Sequence, residues 1–283
     1  MTRNFTSVLK HAYFLCITTL MLAGVACGNG NESPQVPDQS LTIGLNDTGR
    51  SSCSGDDNAQ LECPVIAAPG QDAEYGRDAQ AQAGTLIKIG AGDAGFDFSK
   101  ISANGMPLAL QDQAWSSSSE EAEGTQWACV LDNTTQLMWE VKHTDPSHGR
   151  YALSTYSWYV ADDQRNGGLA GFTNLGECNA GACDTQGYVE YVNEIGLCGY
   201  YDWRLPSISE FFSIGHQGRE NPAIDESYFP NTLGALRYWS RDGVAEIPQN
   251  AWYMYFSDAS VSFTNKNNAS YIRLVRGGTE TSL

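Results

Sequence analysis

The large aromatic residues of this 283-residue chain are concentrated in its second half. Six of the seven tryptophans and twelve of the fourteen tyrosines lie in residues 127–283. Residues 41–126 are rich in Gly, Ala, Asp, Gln and Ser, and their apolar islands, at Leu86–Ile89 and Ile101, are too sparse for a core of their own. We therefore expect one folded domain over residues 127–283. A loop-rich N-terminal extension over residues 41–126 is expected to precede this domain and to pack against it.

The N-terminus has the layout of a secretory signal peptide. Arg3 and Lys10 precede an apolar run from Tyr13 to Ala26, and no acidic residue occurs before Cys27. The apolar run is shorter than the roughly 20 residues that a helix needs to cross a bilayer. The pattern therefore predicts export of the chain and not a permanent membrane span.

Residues 22–27 (LAGVAC) resemble the lipobox of bacterial lipoproteins, with Gly24 where Leu is usual. This resemblance predicts a lipoprotein signal peptide over residues 1–26 and a lipid anchor on Cys27. An ordinary signal peptide that is cut nearby is the alternative. Residues 27–40 lack hydrophobic periodicity and predict a flexible tether. Residue 28 is Gly and not Asp, which by likeness to diderm lipoproteins implies sorting to the outer membrane, on its periplasmic or cell-surface face.

The number of cysteines is consistent with export of the chain. Seven of the eight cysteines follow the apolar run, and lipid modification of Cys27 would leave six, which allows up to three disulfides in an oxidising compartment. Six cysteines allow many connectivities. Sequence proximity favours Cys53–Cys63 and Cys178–Cys183, and Cys129–Cys198 would then join the start of the aromatic-rich domain to the end of its first helix. A zinc site is disfavoured because the chain has only four histidines and no CxxC pair.

The net charge limits the partners of the chain. The formal charge at pH 7 is −17, from 33 acidic and 16 basic residues. A surface of this sign repels nucleic acid and anionic lipid headgroups. Lys and Arg also form no run in the sequence. We therefore expect no nucleic-acid partner, and membrane attachment through the lipid anchor alone.

Two helices and several strands are predicted in the aromatic-rich domain. Asp184 can cap a helix that runs to Glu194 and ends at Gly196. A capping box at Ser207–Glu210 predicts a second helix from Ile208 to about His216. Short β-type runs predict strands, as does the island Thr85–Ile89 in the extension; those in the domain are Leu137–Val141, Ala251–Phe256, Val261–Thr264 and Tyr271–Val275.

Many segments of residues 127–276 resemble the Lcl C-terminal domain family in the order in which that family has them. The resemblance implies an α+β fold of the C-type-lectin-like kind, with two helices and a small mixed or antiparallel sheet. Gln136 departs from the family, which usually has Gly in this turn. The matching segments are Cys129–Thr135, Leu137–Lys142, Cys198–Gly199, Asp202–Ser207, Asn221–Asp225, Tyr228–Pro230, Tyr238–Ser240, Ala251–Trp252 and Arg273–Arg276.

The extension carries part of the resemblance as well. Residues 45–49, 75–78 and 94–98 are similar to a leader that precedes the domain in some members of the family. The Trp-Arg-Leu-Pro-Ser-x-x-Glu element also resembles a motif that opens a helix in formylglycine-generating enzymes. Their cysteine chemistry is not implied, because no corresponding cysteine pair lies near the C-terminus.

The motif residues are interpreted as scaffold. A buried Trp and an Arg paired with an acid at a strand-to-helix junction commonly hold a fold together; the residues concerned are Trp139, Asp202, Trp203, Arg204, Pro206, Ser207 and Glu210. His143, His148 and His216 have no partner at triad-like or metal-ligand spacing, and no hydrolase, metalloprotease or P-loop motif occurs. We therefore expect no enzyme activity.

Loop carboxylates are the candidates for calcium. Calcium takes roughly six to eight oxygen ligands, which carboxylates, Asn side chains and backbone carbonyls can supply. Asp225, Glu226 and Asp242 are such candidates, although solvated charge on an acidic protein is the favoured interpretation. We expect no other cofactor.

Three function classes remain open. The adhesin after which the family is named implies a cell-surface recognition or adhesion module that binds a glycan or a protein. A structural envelope lipoprotein without a ligand pocket is the alternative, and an enzyme is the least favoured class. Because the chain is acidic, we expect that the ligand is not a sulfated polyanion.

Overall fold

The computed structural model describes residues 44–56, 60–118 and 123–278, which belong to one compact unit. Cys27 and the predicted signal peptide and tether lie outside the described residues. The α+β class predicted from the sequence is confirmed. The strands, in chain order, are β1 (Cys53–Ser54), β2 (Gln60–Leu61), β3 (Phe98–Ile101), β4 (Cys129–Asp132), β5 (Leu137–Glu140), β6 (Arg237–Gly243), β7 (Asn250–Tyr255), β8 (Val261–Asn265) and β9 (Val275–Gly277). The helices are α1 (Gly76–Gln82), α2 (Thr185–Ile195) and α3 (Ile208–Phe212).

The strands form antiparallel sheets. One sheet has the order β3-β4-β5-β9, a second has the order β6-β7-β8, and β1 pairs with β2. The edge strand β3 comes from the N-terminal extension and pairs along its whole length with β4, from Phe98 opposite Asp132 to Ile101 opposite Cys129. The extension also places Phe96 and Leu108 in the core. The extension therefore supplies a strand of the first sheet and part of the core, and it does not merely pack against the surface of the domain.

Two apolar clusters form the core. One contains Trp139 and Phe211, whose rings stack at 5.8 Å. The other contains Trp158, Trp203 and Trp239, all at most 2% exposed. Burial of side chains of this size is the main stabilising contribution to the fold.

Both predicted helix starts are confirmed. The Asp184 carboxylate accepts a hydrogen bond from Gly187 N at 2.8 Å, and Gly196 ends α2 in the left-handed conformation, with φ 64°. Ser207 Oγ accepts from Glu210 N at 3.1 Å, while Glu210 Oε2 accepts from Ser207 N at 2.8 Å. These reciprocal bonds satisfy backbone donors at the start of α3.

Three details differ from the sequence predictions. α3 ends at Phe212 and not near His216, because Ser213 Oγ bonds the Glu210 carbonyl at 2.7 Å and the chain turns. Residues 85–89 form no strand, because the backbone N–H groups of Ile89 and Gly90 donate to the Asp97 carboxylate instead of to a neighbouring strand. The last strand begins at Val275 and not at Tyr271.

Gln136 takes the backbone conformation that the family usually gives to Gly. Its φ is 61°, in the left-handed region, and its N–H donates to the Asp132 carbonyl at 2.8 Å. The turn between β4 and β5 is thus formed here without glycine.

Three disulfides link the described cysteines: Cys53–Cys63 and Cys178–Cys183, which sequence proximity favours, and Cys129–Cys198, the pair expected to remain. The first closes the β1–β2 hairpin, and the second joins β4 to the short 3-10 helix Leu197–Gly199 that follows α2. Within the described ranges, no helix combines the length and the apolar content that crossing a membrane requires.

Candidate functional site

Arg204 and Glu210 form a bidentate ion pair at the start of α3. Arg204 Nη1 and Nη2 donate to the two carboxylate oxygens of Glu210 at 2.8 and 2.6 Å, and the Arg204 backbone exchanges two hydrogen bonds with Val275. Burial acts to raise the pKa of Glu210, but the hydrogen bonds from Arg204 and Ser207 outweigh it and hold the pKa below its usual value. Glu210 is therefore an ionised, fully engaged carboxylate.

The neighbouring motif residues hold elements together, as the scaffold interpretation predicts. Asn193 on α2 brackets Trp203 by accepting from its N–H at 2.8 Å and donating to its carbonyl at 2.9 Å. The Trp203 indole N–H donates to the Leu197 carbonyl at 3.0 Å. Asp202 accepts from two nitrogens of Arg276, at 2.6 and 3.1 Å, and these bonds are the main reason that its pKa lies below the usual value. The Pro206 carbonyl accepts from Arg241 N at 2.8 Å.

A cleft of about 720 Å³ opens beside this motif. Its walls are the segment 159–167, α2, the start of α3 and the end of β6. Its charged lining comprises Arg165, Arg204, Arg241, Glu210 and Asp242, and its uncharged polar lining comprises Tyr159, Gln164, Thr185, Gln186 and Ser207. The motif residues are recognisable in the sequence, but the cleft is not, because its lining comes from segments that are far apart in the chain.

The walls of the cleft are held in place by bonds behind them. Lys266 is fully buried, and its Nζ donates to the carbonyls of Asn166 and Leu169, both at 2.7 Å, so it fixes the segment that forms one wall. The ammonium lies 4.1 Å from the centre of the Trp158 ring, and burial lowers its pKa to about 8. Across the cleft, Asp242 accepts from Ile208 N at 2.7 Å.

Two polar groups in the cleft remain available to a ligand. Tyr159 is half-buried and Gln164 is exposed. Among the described residues, neither the Tyr159 hydroxyl nor the Gln164 side-chain amide has a hydrogen-bond partner. The cleft therefore combines fixed walls with free donors and acceptors at its mouth, which is the arrangement of a binding site for a polar molecule.

The candidate calcium ligands are not assembled into a site. Asp225 is buried and accepts from Asp93 N at 3.0 Å and Ser227 N at 3.1 Å, while Glu226 is exposed and Asp242 caps α3.

The acidic group that the structure does bring together, within the described residues, is Asp47, Asp72 and Asp78, with carboxylate oxygens within 4.8 Å of one another. Burial raises the pKa of Asp78. This cluster is not recognisable in the sequence because its members lie on two separate segments of the extension.

The histidines have partners that sequence spacing did not indicate. His216 Nε2 lies 3.1 Å from Asp93 Oδ2, and Arg219 contacts the same carboxylate at 2.9 Å. Burial lowers the pKa of His216, and Arg219 adds to this effect while Asp93 opposes it. His143 and His148 stack on each other, with ring centres 4.3 Å apart, in a second cavity.

Comparison with known proteins identifies the domain. The model of the Lcl C-terminal domain family matches residues 128–276, more than half of the chain, and confirms the resemblance seen in the sequence segments. No curated protein matches the chain. The chain belongs to the Lcl C-terminal domain family.

Proposed function

We propose that the protein is a non-catalytic recognition or adhesion module that binds a hydroxyl-rich, uncharged glycan in the cleft beside Arg204 and Glu210. The observation that carries this proposal is the cleft itself, whose walls are fixed by Lys266 and Asp242 and whose mouth offers the Tyr159 hydroxyl and the Gln164 amide. Preorganised donors and acceptors of this kind suit the hydroxyl groups of a sugar. The C-type-lectin-like architecture implied by the sequence agrees with this function.

The state of Glu210 argues against catalysis in the cleft. Catalytic carboxylates are usually tuned toward neutral pH so that they can exchange a proton. Glu210 instead accepts hydrogen bonds from Arg204 and Ser207 that lower its pKa. This arrangement favours a supporting role, as expected for a binding module.

The placement of the basic residues supports an uncharged ligand. Lys100, Lys142, Lys266 and Arg273 are buried in the fold, so they add nothing to a basic surface patch. Arg204 and Arg276 are each paired with a carboxylate. With a formal charge of −17 on the chain, little surface is left on which a sulfated polyanion could release counter-ions.

Binding should depend on the free groups of the cleft. We expect the double variant Tyr159→Phe, Gln164→Ala to bind neutral oligosaccharides on a glycan array about 30-fold more weakly than the wild type, because each of the two lost hydrogen bonds is worth about 1 kcal/mol. Tyr201→Ala is the control, because Tyr201 is 72% exposed and lies outside the cleft. Tight, salt-sensitive retention of the protein on heparin at about 0.15 M salt would contradict the proposal. Absence of any glycan binding would leave the structural envelope lipoprotein as the better interpretation.

We also propose that the protein is exported and held at the outer membrane by lipid-modified Cys27, which lies outside the described residues. The LAGVAC junction and the odd number of cysteines after the apolar run support this proposal. Metabolic labelling with a palmitate analogue should mark the wild type and the Cys16→Ser control, and should not mark Cys27→Ser. Equal labelling of Cys27→Ser would refute the anchor.

A further inference from the structure

A second cavity, of about 700 Å³, lies where the N-terminal extension meets the aromatic-rich domain. The extension contributes Ala103 and Trp115, and the domain contributes the segments around Ala128, Val141 and His148. It shares no lining residue with the first cleft, so the inference that follows does not depend on the function proposed for that cleft.

Two histidines form one wall of the second cavity. The rings of His143 and His148 are nearly parallel, with an angle of 16° between them, and Trp115 meets His143 edge-on at 5.5 Å. His143 Nδ1 accepts from Asp145 N, and His148 Nδ1 accepts from Arg150 N, both at 3.0 Å. Each neutral ring therefore carries its proton on Nε2. Neither Nε2 has a partner among the described residues, so the wall presents two N–H donors beside an aromatic surface.

Arg150 adds a positive charge that no carboxylate of the described residues balances. It is 9% exposed, and its Nη1 donates to the carbonyls of Val141 and Ala128. Among the described residues, its Nε and Nη2 have no hydrogen-bond partner, and it makes no ion pair. A mostly buried guanidinium is normally paired with an acid. The part of the cavity that the described residues form thus lacks an anion.

The surrounding charges do not supply that anion. Glu140, the carboxylate on the adjoining strand β5, already holds Lys142 at 3.1 Å and accepts a hydrogen bond from Tyr188. Asp145 is exposed and accepts from Ser147 N and Ser147 Oγ at 2.8 Å. Because Glu140 neutralises Lys142, Arg150 leaves the described lining of the cavity with an excess of positive charge, although the chain as a whole is acidic.

We propose that the second cavity binds a small ring-shaped molecule that carries one carboxylate. The carboxylate accepts from Arg150 and from the histidine Nε2–H groups, and the ring packs against Trp115 and the stacked imidazoles. An aromatic acid and a sugar acid share this chemistry. A small molecule with one carboxylate interacts mainly with the charges that line the cavity. A polyanion extends beyond the cavity and would also be repelled by the acidic surface of the protein.

Binding of such a ligand should take up a proton. The pKa of His148 is lowered to about 4, mainly by burial and also by Arg150 and His143, while Asp145 and Glu140 oppose the lowering. A bound carboxylate would counteract Arg150 and raise the pKa of His148 toward its ordinary value; the added proton goes to Nδ1, which then gives up the hydrogen bond from Arg150 N. By linkage, the affinity should then rise as the pH falls, by about tenfold between pH 7.5 and pH 5.5 if the pKa returns to about 6.5.

The test is calorimetric titration of the purified full-length chain with benzoate and D-galacturonate at pH 7.5 and pH 5.5. Benzamide and methyl galactoside are the uncharged analogues of the two probes. We expect at least one carboxylate to bind more tightly at pH 5.5, and its uncharged analogue to show no binding. The probe that binds identifies the ring as aromatic or sugar.

The variants localise the binding. Arg150→Gln should weaken the carboxylate about tenfold, because a hydrogen bond to a charged group is lost, whereas Arg50→Gln, at an exposed position that lines neither cavity, should leave affinity unchanged. Should Arg150→Gln fail to fold, His148→Gln still tests the site, since it should abolish the pH dependence and keep binding at pH 7.5. The proposal is overturned if neither carboxylate binds with a Kd below about 10 mM, if the uncharged analogues bind equally well, or if the pH dependence survives in His148→Gln.

Discussion

Replacing Glu140 by Gln is expected to lower the free energy of unfolding by about 4 kcal/mol, because removal of one partner from a buried ion pair leaves the other charge uncompensated. Glu140 is fully buried, and Lys142, at 3.1 Å, is 2% exposed. Glu140 Oε1 also accepts from the Tyr188 hydroxyl, and Oε2 accepts from Leu274 N at 3.0 Å. An amide has only one acceptor oxygen, so the variant must turn an N–H₂ group toward one of these donors.

The charges around Glu140 increase this effect. Burial lowers the pKa of Lys142 to about 8, and Arg273 and Arg150 add to the lowering, while Glu140 opposes it. Arg273 is also fully buried, and its Nη1 donates to the Glu140 carbonyl at 2.6 Å. Without the carboxylate, three buried or nearly buried cations would repel one another in a medium of low dielectric constant.

Urea unfolding followed by tryptophan fluorescence measures the loss. Asp202→Asn is the matched control, since it also converts a paired carboxylate to an amide. Asp202 is 57% exposed in its pair with Arg276, so this control should lose less than about 1 kcal/mol. Similar losses in the two variants would mean that burial does not govern the contribution of Glu140.

Local features of the fold were predictable from the sequence. The caps of α2 and α3 depend on contacts between residues three apart, such as Ser207 and Glu210, and these appear directly in the sequence. The disulfide Cys178–Cys183 joins near neighbours. The scaffold interpretation of Asp202, Trp203 and Arg204 comes from their type and spacing, which are characteristic of a strand-to-helix junction, and it stays a prediction.

Features that depend on long-range contacts were not predictable in this way. β3 was missed because its pairing with β4 makes Phe98–Ile101 a buried strand, whereas its own four residues, FSKI, carry no periodic signal. Likewise, His216 meets Asp93, which is 123 residues away in the chain.

The two candidate binding sites also depend on long-range contacts and could not be predicted from the sequence. In the sequence, Lys266 is only one of the basic residues that form no run, but in the fold it is a buried group that fixes a wall of the cleft 97 to 100 residues away. Arg150 is another such basic residue, but it lines the second cavity and has no acidic partner within the part of the chain that the structure describes. Its chemistry depends on burial and on which carboxylates lie nearby, and neither follows from residue type.

Removal of the Cys129–Cys198 disulfide should have an effect of similar size to that of Glu140→Gln. This bond closes a sequence separation of 69 residues, and the loop-entropy estimate for such a closure is about 4 kcal/mol. Both cysteines are at most 1% exposed, between β4 and the turn after α2. The double variant Cys129→Ala, Cys198→Ala avoids burying two polar hydroxyl groups in that apolar cluster, so its loss reports mainly the missing cross-link.

The double variant Cys178→Ala, Cys183→Ala is the matched control. Its disulfide spans only five residues in sequence, for which the same estimate gives about 2 kcal/mol. Urea unfolding of both variants should therefore show the larger loss for Cys129→Ala, Cys198→Ala, because the unlinked unfolded chain gains more conformations when the longer loop is opened. Equal losses, or a larger loss for the short loop, would mean that native contacts around the cysteines, and not restriction of the unfolded chain, determine how much these bonds stabilise the domain.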